Sequence, residues 1–181
     1  MKITIISSST RIGRLSHRVA LALKKQIQSS GNEVQIIDLL ELNLPSFEER
    51  LGYIPDPNGK LAQTAETMKN SDGLIFLTPE YNGGISSGLK NFIDVFAKAP
   101  FDGKPIGVAT ASTGSLGGIR AAYQLQQIVL SIFGFPLPTM LTVGTMDKVL
   151  DENGDIIDPS FQAKLDRFVT SYLGFVNKLS R

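Results

Sequence analysis

The stretch that decides the fold is "GLIFLTPEYNGGISSGLKNFID", residues 73–94. It begins with an apolar run at 73–78, passes through a loop with two adjacent glycines, and continues in apolar residues at helical spacing. Leu89, Phe92 and Phe96 fall on one face of the predicted helix. Because a strand that is apolar at every position is covered on both faces, the stretch predicts a strand, loop and helix of a parallel α/β sheet.

The same alternation of short apolar runs and helical stretches recurs along the rest of the chain. The other predicted strands are Lys2–Ser7, Glu33–Asp38, Pro105–Ala111 and residues 138–143. Apolar stripes of helical period lie between them, one of which ends at Phe133, and the signal Asp158-Pro159 introduces a closing helix. The sequence therefore predicts a single domain over residues 1–181, a doubly wound five-stranded parallel sheet with helices on both faces.

Composition disfavours several classes of function. Eighteen Lys and Arg residues against seventeen Asp and Glu residues give a formal net charge of +1, which provides no basic surface for nucleic acid. The chain has no cysteine and a single histidine, His17, so thiol chemistry, iron–sulfur ligation and a zinc site are all disfavoured. The amino-terminal run "MKITIISSS" is too short for a signal peptide or a membrane span. We therefore expect a cytoplasmic protein with no metal, nucleic-acid or membrane partner.

The loop after the first strand, "SSSTRIGRLS" at 7–16, has the composition of an anion site. It contains neither G-x-G-x-x-G nor the G-K-[ST] ending of a P-loop. Ser9, Arg11 and Ser16, together with the amino end of the following helix, suit one phosphate monoester. The alternative is a polar turn with an ordinary N-cap serine. Arg14 and His17 are predicted to be solvated.

The loop after the fourth strand, "ASTGSLGGIRAAYQLQ" at 111–126, carries three glycines and several small hydroxyl residues. Such residues let backbone approach a flat ligand closely. Arg120 falls in the first turn of the next helix, where the helix dipole disfavours a cation. We therefore expect Arg120 to have an anionic partner.

The loop after the third strand contains "GISSG", a formal match to the nucleophile elbow of serine hydrolases centred on Ser86. That mechanism needs a histidine after the serine in the chain, and the single histidine lies before it. Ser86 or Ser87 is more simply the N-cap of the following helix.

Two segments interrupt the alternation of strands and helices. Residues 42–60 form a connection too long for an ordinary αβ loop, which is either functional or a tolerated surface excursion. Residues 146–159 contain an Asn-Gly pair between apolar residues and predict a small hairpin or turn before the last helix.

The loops together offer a phosphate site and close backbone contacts but no nucleophile, metal ligand or obvious base, which favours a cofactor that performs the chemistry itself. The segments "STRIGRLS", "PEYNGGISSGLKNFID" and "GSLGGIRAAYQLQ" resemble the flavodoxin-like NAD(P)H-dependent FMN reductase family, which includes azoreductases, quinone reductases and chromate reductases. The resemblance is collinear from about Lys2 to the end of the last helix. It implies a sheet of order 2-1-3-4-5, FMN bound without a covalent bond, NAD(P)H as co-substrate, and a homodimer or homotetramer.

The resemblance also assigns site residues by position. Those matching the family's phosphate site are Ser9, Arg11 and Ser16. Those matching the loop along the isoalloxazine edge are Pro79, Glu80, Tyr81, Asn82 and Gly83. Those matching the loop on the other side of the ring are Ser112, Thr113, Gly114 and Gly117. The alternatives are a subunit contact for Tyr81 and a helix-end or ion-pair role for Glu80. One departure is Ser8, which stands where the family usually has glycine and needs more room beside the phosphate.

The implied activity is an oxidoreductase with no catalytic side chain of its own. NAD(P)H would reduce bound FMN, which would then reduce a quinone, azo compound, free flavin or similar small-molecule acceptor by a ping-pong mechanism. Arg14 is a candidate contact for the 2′-phosphate of NADPH. The alternatives are a noncatalytic flavodoxin-type electron carrier, which the near-neutral charge disfavours, and a flavin-binding sensor.

Overall fold

The computed structural model describes residues 1–179, within which six strands and seven helices alternate. The strands are β1 (Lys2–Ser7), β2 (Glu33–Asp38), β3 (Gly73–Pro79), β4 (Pro105–Ala111), β5 (Phe135–Pro136) and β6 (Leu141–Val143). The helices are α1 (His17–Ser29), α2 (Leu39–Leu42), α3 (Lys60–Lys69), α4 (Ser87–Phe96), α5 (Ile119–Ser131), α6 (Met146–Val149) and α7 (Ser160–Leu179). Four of the five predicted strands are therefore confirmed, with β3 one residue longer than expected.

The strands form one parallel sheet in the order β2-β1-β3-β4-β5, with β6 also paired to β4. The predicted order 2-1-3-4-5 is confirmed. The register places Ser7 beside both Asp38 and Leu77, and Pro79 beside Ala111. Because the pairing is parallel, the carboxyl ends of β1, β2, β3 and β4 all meet at one edge of the sheet.

The fifth strand differs from the prediction of one strand over residues 138–143. It is divided into β5, which pairs with the beginning of β4, and β6, which pairs with its end. Pro136 and Pro138 lack the N–H that a continuous ladder requires, so the chain leaves the sheet between the two pieces.

Helices cover both faces of the sheet, as the apolar strands predicted. On one face, α1 and α7 pack against alternate strand residues that include Ile3, Ile5 and Ile75. On the other face, α3, α4 and α5 pack against the intervening residues, which include Phe76 and Val108. Every residue of the central strands β3 and β4 is thus buried whichever way its side chain points, which explains their continuous apolar runs, whereas the edge strand β2 is only partly buried.

The closing helix α7 begins as predicted after Asp158, whose side chain accepts a hydrogen bond from the Ser160 N–H at 2.9 Å. It is buried through Phe161, Phe168 and Tyr172. By contrast, Phe133 is 54% exposed and lies beyond the end of α5, so its assignment to that helix's buried stripe was wrong.

The two irregular segments are both attached to the rest of the fold. Residues 146–159 form α6 and then a small hairpin closed by an antiparallel bridge between Leu150 and Ile156, as predicted in part. The connection after α2 folds back onto α4, where the Leu51 N–H donates to the Val95 carbonyl at 2.8 Å. No helix of residues 1–179 has the length and apolar character needed to cross a membrane.

Candidate cofactor site

A cleft of about 420 Å³ opens at the carboxyl edge of the sheet, and we refer to it as the carboxyl-edge cleft. Three loops form it: the first loop (residues 8–16), the second loop (79–86) and the third loop (112–118). Eight of the predicted site residues line it: Ser9, Arg11, Ser16, Pro79, Glu80, Tyr81, Ser112 and Thr113. Parallel α/β sheets bind ligands at this position, so the structure brings the two phosphate-site serines and Arg11 together with the second and third loops.

Two other cavities are larger than the carboxyl-edge cleft. A cavity of about 600 Å³ lies beside Ala97 and Ile132, and one of about 450 Å³ lies between α2 and α4 beside Phe47. The carboxyl-edge cleft differs from both because its lining combines serine hydroxyls, an exposed arginine and the amino end of α1. Those groups give it the chemistry of an anion-binding site.

The first loop presents two of its three predicted anion ligands toward the cleft with no competing partner. The Ser16 side chain makes no capping hydrogen bond to α1, which disfavours the alternative of an ordinary N-cap serine. Among residues 1–179, the exposed Arg11 side chain has no protein hydrogen-bond partner. Ser9 is buried, and its Oγ lies 2.9 Å from the Tyr81 hydroxyl, which joins the first loop to the second.

Ser8 does not occupy the cleft. Its side chain is buried, and its Oγ lies 2.9 Å from the Ser86 Oγ beneath the first loop. The room that a serine needs at this position is therefore found in the core. A neighbouring close approach involves Gly88, where a Cβ would lie 3.0 Å from the Ser8 carbonyl oxygen and 3.2 Å from Thr10 Cγ2. This contact lets the beginning of α4 pack directly beneath the first loop.

Ser86 is the N-cap of α4, as expected. Its Oγ accepts a hydrogen bond from the Leu89 N–H at 3.2 Å, and its backbone N–H donates to Thr78 Oγ1 at 3.0 Å. The residue is 2% exposed. A buried serine engaged in this way cannot act as a nucleophile, which removes the hydrolase interpretation of "GISSG".

The prediction that Arg14 is solvated was wrong, whereas its candidacy for the NADPH 2′-phosphate stays a prediction. Its guanidinium is paired through both terminal nitrogens with the carboxylate of Asp38, and its side chain is 12% exposed. Burial raises the pKa of Asp38, but hydrogen bonds from Arg14 and from the Leu40 N–H outweigh burial and leave that pKa below its ordinary value. Asp38 was missed in the sequence, although an acidic residue at the carboxyl end of the strand beside β1 was a usable signal.

His17 is half-buried at the start of α1. Its Nδ1 lies 3.0 Å from Ser7 Oγ and 3.6 Å from an Asp38 carboxylate oxygen. Burial, followed by the nearby Arg14 charge, holds the pKa of His17 below its ordinary value. Neither His17 nor any other group of His, Cys, Asp and Glu within residues 1–179 forms a metal site.

Glu80 connects the second loop to α5. Its Oε2 accepts hydrogen bonds from the backbone N–H groups of Arg120 at 3.0 Å and Ala121 at 3.3 Å. Its Oε1 accepts from the Arg120 guanidinium at 3.2 Å. The helix has Gly118 as its own N-cap, which offers no side-chain acceptor, so Glu80 supplies the cap from another part of the chain. The expected anionic partner of Arg120 is thus confirmed, as is the helix-end alternative for Glu80.

Asn82 and Gly83 form the turn that shapes the second loop, and they do not line the cleft. Both have positive φ, 51° and 82°, and the flanking Tyr81 and Gly84 exchange backbone hydrogen bonds at 2.9 and 3.1 Å. An Asn-Gly pair in such a two-residue turn is a strong hairpin signal, which the sequence reasoning did not use here.

Packing against a neighbouring loop explains one of the glycines in the third loop. A Cβ on Gly117, whose φ is 62°, would lie 2.8 Å from the backbone nitrogen of Gly144. Gly114 donates its N–H to Ser112 Oγ at 3.1 Å. Neither glycine lines the cleft, whereas Met146, which the sequence reasoning overlooked, does. The close approach at Gly117 is therefore to a neighbouring loop, and it sets the position of Ser112 and Thr113.

The fold and cleft together define a class of protein. A parallel sheet of order 2-1-3-4-5 with a ligand cleft at its carboxyl edge is the flavodoxin-like architecture. Within that class, the chain belongs to the NADPH-dependent FMN reductase family, whose family model matches residues 1–146. Membership of this family makes the chain an oxidoreductase that works with FMN and NAD(P)H.

Individual relatives cover nearly the whole chain. A quinone reductase of Escherichia coli strain K12 is 27% identical, over 99% of this chain and 97% of the relative. An FMN-dependent NADPH-azoreductase of Staphylococcus aureus strain USA300 is 30% identical, over 98% of this chain and 96% of the relative. FerB, a flavoenzyme NAD(P)H:(acceptor) oxidoreductase of Paracoccus denitrificans, superposes with a TM-score of 0.83 at 21% identity, covering 98% of this chain and 97% of FerB. At that identity the structural likeness shows the fold alone.

The groups in the cleft fit FMN. The uncommitted Arg11 and Ser16 match a phosphate, and the volume of about 420 Å³ lies within the range of small-molecule sites. Pro79, Tyr81 and Thr113 also line the cleft, and their backbone and apolar surface suit a flat ring. The lining therefore combines groups suited to an anion with surface suited to a ring, as the cofactor requires.

Proposed function

We propose that this protein is an NAD(P)H-dependent FMN oxidoreductase that reduces a quinone, an azo compound, free flavin or a similar acceptor by a ping-pong mechanism. One observation carries the proposal: anion donors and small-residue loops converge in a single cleft at the carboxyl edge of the sheet. The E. coli relative is a quinone reductase and the S. aureus relative is an NADPH-azoreductase, which supports quinones and azo compounds as acceptors.

In this proposal Ser9, Arg11 and Ser16 hold the FMN phosphate. Arg11 supplies the net positive charge, because the other arginine of the first loop is neutralised by Asp38. The hydrogen bond between Ser9 and Tyr81 keeps the phosphate end at a fixed distance from the second loop. A planar guanidinium suits a phosphate because it donates two parallel hydrogen bonds.

The ring end is formed by the second and third loops. Pro79, Glu80 and Tyr81 line one side, with Asn82 and Gly83 shaping the turn behind them. On the other side the lining residues are Ser112 and Thr113, with Gly114 and Gly117 setting the loop that presents them. Bound FMN supplies the group that accepts hydride from NAD(P)H and passes it to the acceptor. The chain contributes position and exclusion of water.

The ping-pong order follows from having one cleft for two substrates. NAD(P)H and the acceptor would both need the open side of the same cleft, so they occupy it in turn. Initial rates measured against both substrates should give parallel double-reciprocal lines, and intersecting lines would contradict this order.

Anaerobic mixing of FMN-loaded protein with NADPH, and separately with NADH, tests the proposal directly. Rapid bleaching of the visible flavin absorbance, followed by its return when a quinone is added, is the expected result. A flavin that stays oxidised with both nucleotides would refute the reductase and leave the flavodoxin-type carrier or the flavin sensor.

We also propose one domain and a homodimer or homotetramer. The two core clusters share one sheet, which supports a single domain. An apolar stripe along α5 and the following turn, formed by Tyr123, Leu130, Phe133 and Phe135, is exposed and supports contact with a second copy. Sedimentation equilibrium of the wild type and of Tyr123→Glu tests this, and a wild-type monomer would refute it.

A further inference from the structure

The first loop is crossed internally by the side chain of Arg14. The Arg14 Nη1 donates to the backbone carbonyl of Ser9 at 2.8 Å, five residues earlier in the chain. Both terminal nitrogens of the same guanidinium are paired with Asp38. The two side chains are only 12% and 8% exposed, so the ion pair is largely buried, although Arg14 is also among the residues that line the carboxyl-edge cleft.

Asp38 is itself held rigidly. It is the last residue of β2, where it is paired in register with Ser7 at the end of β1. Its Oδ1 also accepts a hydrogen bond from the Leu40 N–H at 2.9 Å, which caps α2. The carboxylate is therefore fixed to the sheet and to a helix, while its partner Arg14 belongs to an irregular loop.

The contact with Ser9 determines the direction of a peptide group. The carbonyl of Ser9 and the N–H of Thr10 belong to one planar peptide and point in opposite directions, so fixing one fixes the other. Arg14 also lies two residues before Ser16. Through its guanidinium, Arg14 thus connects the part of the loop that contains both predicted phosphate-binding serines to the fixed carboxylate of Asp38.

We propose that Arg14 and Asp38 are positioning residues for the cofactor phosphate: their ion pair holds the first loop in its phosphate-binding conformation, and neither side chain contacts the phosphate. The inference rests on the proposed phosphate role of Ser9, Arg11 and Ser16. On this proposal, the preference for a phosphorylated flavin depends in part on Asp38 of β2, which does not line the carboxyl-edge cleft.

Asp38→Asn separates this role from direct phosphate contact. An amide keeps the acceptor for the Leu40 N–H but loses the charge that holds Arg14. If Arg14 served the phosphate directly, freeing it and removing an anion would leave FMN affinity unchanged or raise it. If the pair positions the loop, FMN affinity falls, and we expect the FMN dissociation constant to rise about tenfold or more.

Riboflavin has the ring of FMN but lacks the phosphate. Comparing the dissociation constants of the two ligands therefore separates a loss of phosphate binding from a general loss of structure, which would weaken both. Dissociation constants for FMN and riboflavin are measured by quenching of flavin fluorescence with the full-length apoprotein. We expect the riboflavin constant of Asp38→Asn to stay within about twofold of the wild type, on the reasoning that loss of a remote charge leaves ring contacts intact. An equal loss for both ligands would overturn the inference in favour of general destabilisation.

Arg18→Ala is the matched control. Arg18 follows one turn later on α1, and its guanidinium donates to the Leu150 carbonyl at 3.0 Å, away from the first loop. Its removal should leave the ratio of the two constants unchanged. A change equal to that of Asp38→Asn would overturn the inference, since any lost arginine or aspartate contact near α1 would then have the same effect.

Arg14→Lys keeps the test decisive if Asp38→Asn does not fold. Lysine retains a cation able to reach a phosphate but cannot form the paired contact with Asp38 and the bond to Ser9 with one planar group. We expect FMN binding to weaken and riboflavin binding to hold, and wild-type FMN affinity would overturn the inference. A wild-type protein that binds FMN and riboflavin equally would instead refute the phosphate site of the proposed function.

Discussion

Replacing Glu80 with alanine tests whether one carboxylate joins the second loop of the carboxyl-edge cleft to the start of α5. The change removes two backbone hydrogen bonds at the start of α5 and the ion pair with Arg120. Loss of a helix cap costs about 1 kcal/mol, and loss of a carboxylate near a helix amino end adds about 0.3–1 kcal/mol. The Arg120 side chain is 65% exposed, so the ion pair itself adds between about 0 and 1 kcal/mol.

The expected loss of unfolding free energy is therefore about 1.3–3 kcal/mol. In a chain of this length, each kcal/mol shifts the thermal midpoint by about 2–4 °C, which predicts a decrease of about 3–12 °C. Circular dichroism of the apoprotein during heating measures it. Binding should weaken for FMN and riboflavin alike, because Glu80 belongs to the loop that the proposed function places along the flavin ring.

Two variants separate the helix cap from the ion pair. Glu80→Gln keeps an acceptor for the backbone N–H groups and should lose less stability than Glu80→Ala. Arg120→Ala removes only the exposed ion pair and should cost less than about 1 kcal/mol. The reasoning is refuted if Glu80→Ala is as stable as the wild type, or if Arg120→Ala is equally destabilising.

The remaining predictions concern the phosphate site, the single histidine and the core. Arg11→Ala should raise the FMN dissociation constant about tenfold or more, because a charged hydrogen bond to the phosphate is lost. Fluorescence titration measures this constant, and an unchanged value would contradict the phosphate assignment. The rate of hydride transfer in FMN-saturated protein, measured by stopped flow, should change little. His17 faces Ser7, Arg14, Asp38 and Glu41, and its pKa in the folded protein lies below the ordinary value of 6.5. Because the folded protein disfavours the charged imidazole, the free energy of unfolding is highest above pH 6.5 and decreases as the pH falls through the folded pKa. Urea unfolding between pH 7 and 5 should show this loss in the wild type and a smaller one in His17→Gln; identical profiles would count against it. Gly73→Ala would place a Cβ 2.5 Å from the Tyr172 hydroxyl and should cost about 1–3 kcal/mol in urea unfolding, whereas Gly174→Ala, with open space around it, should be neutral or stabilising. Equal stability of the two alanine variants would refute the packing argument.

Local pattern was sufficient for most of the fold. Short apolar runs predicted β1 to β4, and the signal is clearest in β3 and β4, because burial on both faces leaves a direct mark on the sequence. The predicted bounds of the fifth strand were wrong because prolines interrupt the ladder and divide the strand into β5 and β6. Apolar character alone does not reveal that division. Phe133 was misplaced for a related reason: helical spacing continues past the residue at which the helix ends.

The site was predictable in position but only partly in detail. The loop order placed eight of the assigned residues in one cleft. The roles of Arg14 and Glu80 depend on partners 24 and 40 residues away, Asp38 and Arg120, and no short motif reports such contacts. A charge in a loop looks solvated in sequence until the fold brings an opposite charge beside it.

The hydrogen bond between Ser9 and Tyr81 and the cap supplied by Glu80 have a consequence for how this scaffold accommodates change. The two contacts join the first loop to the second and the second loop to α5 without help from a ligand, so little order has to be created when a flavin arrives. Ile12 of the first loop and Leu116 of the third loop are 93% and 61% exposed and take no part in those contacts. On the proposed function, we expect substitutions at these positions to change acceptor preference while leaving cofactor binding unchanged.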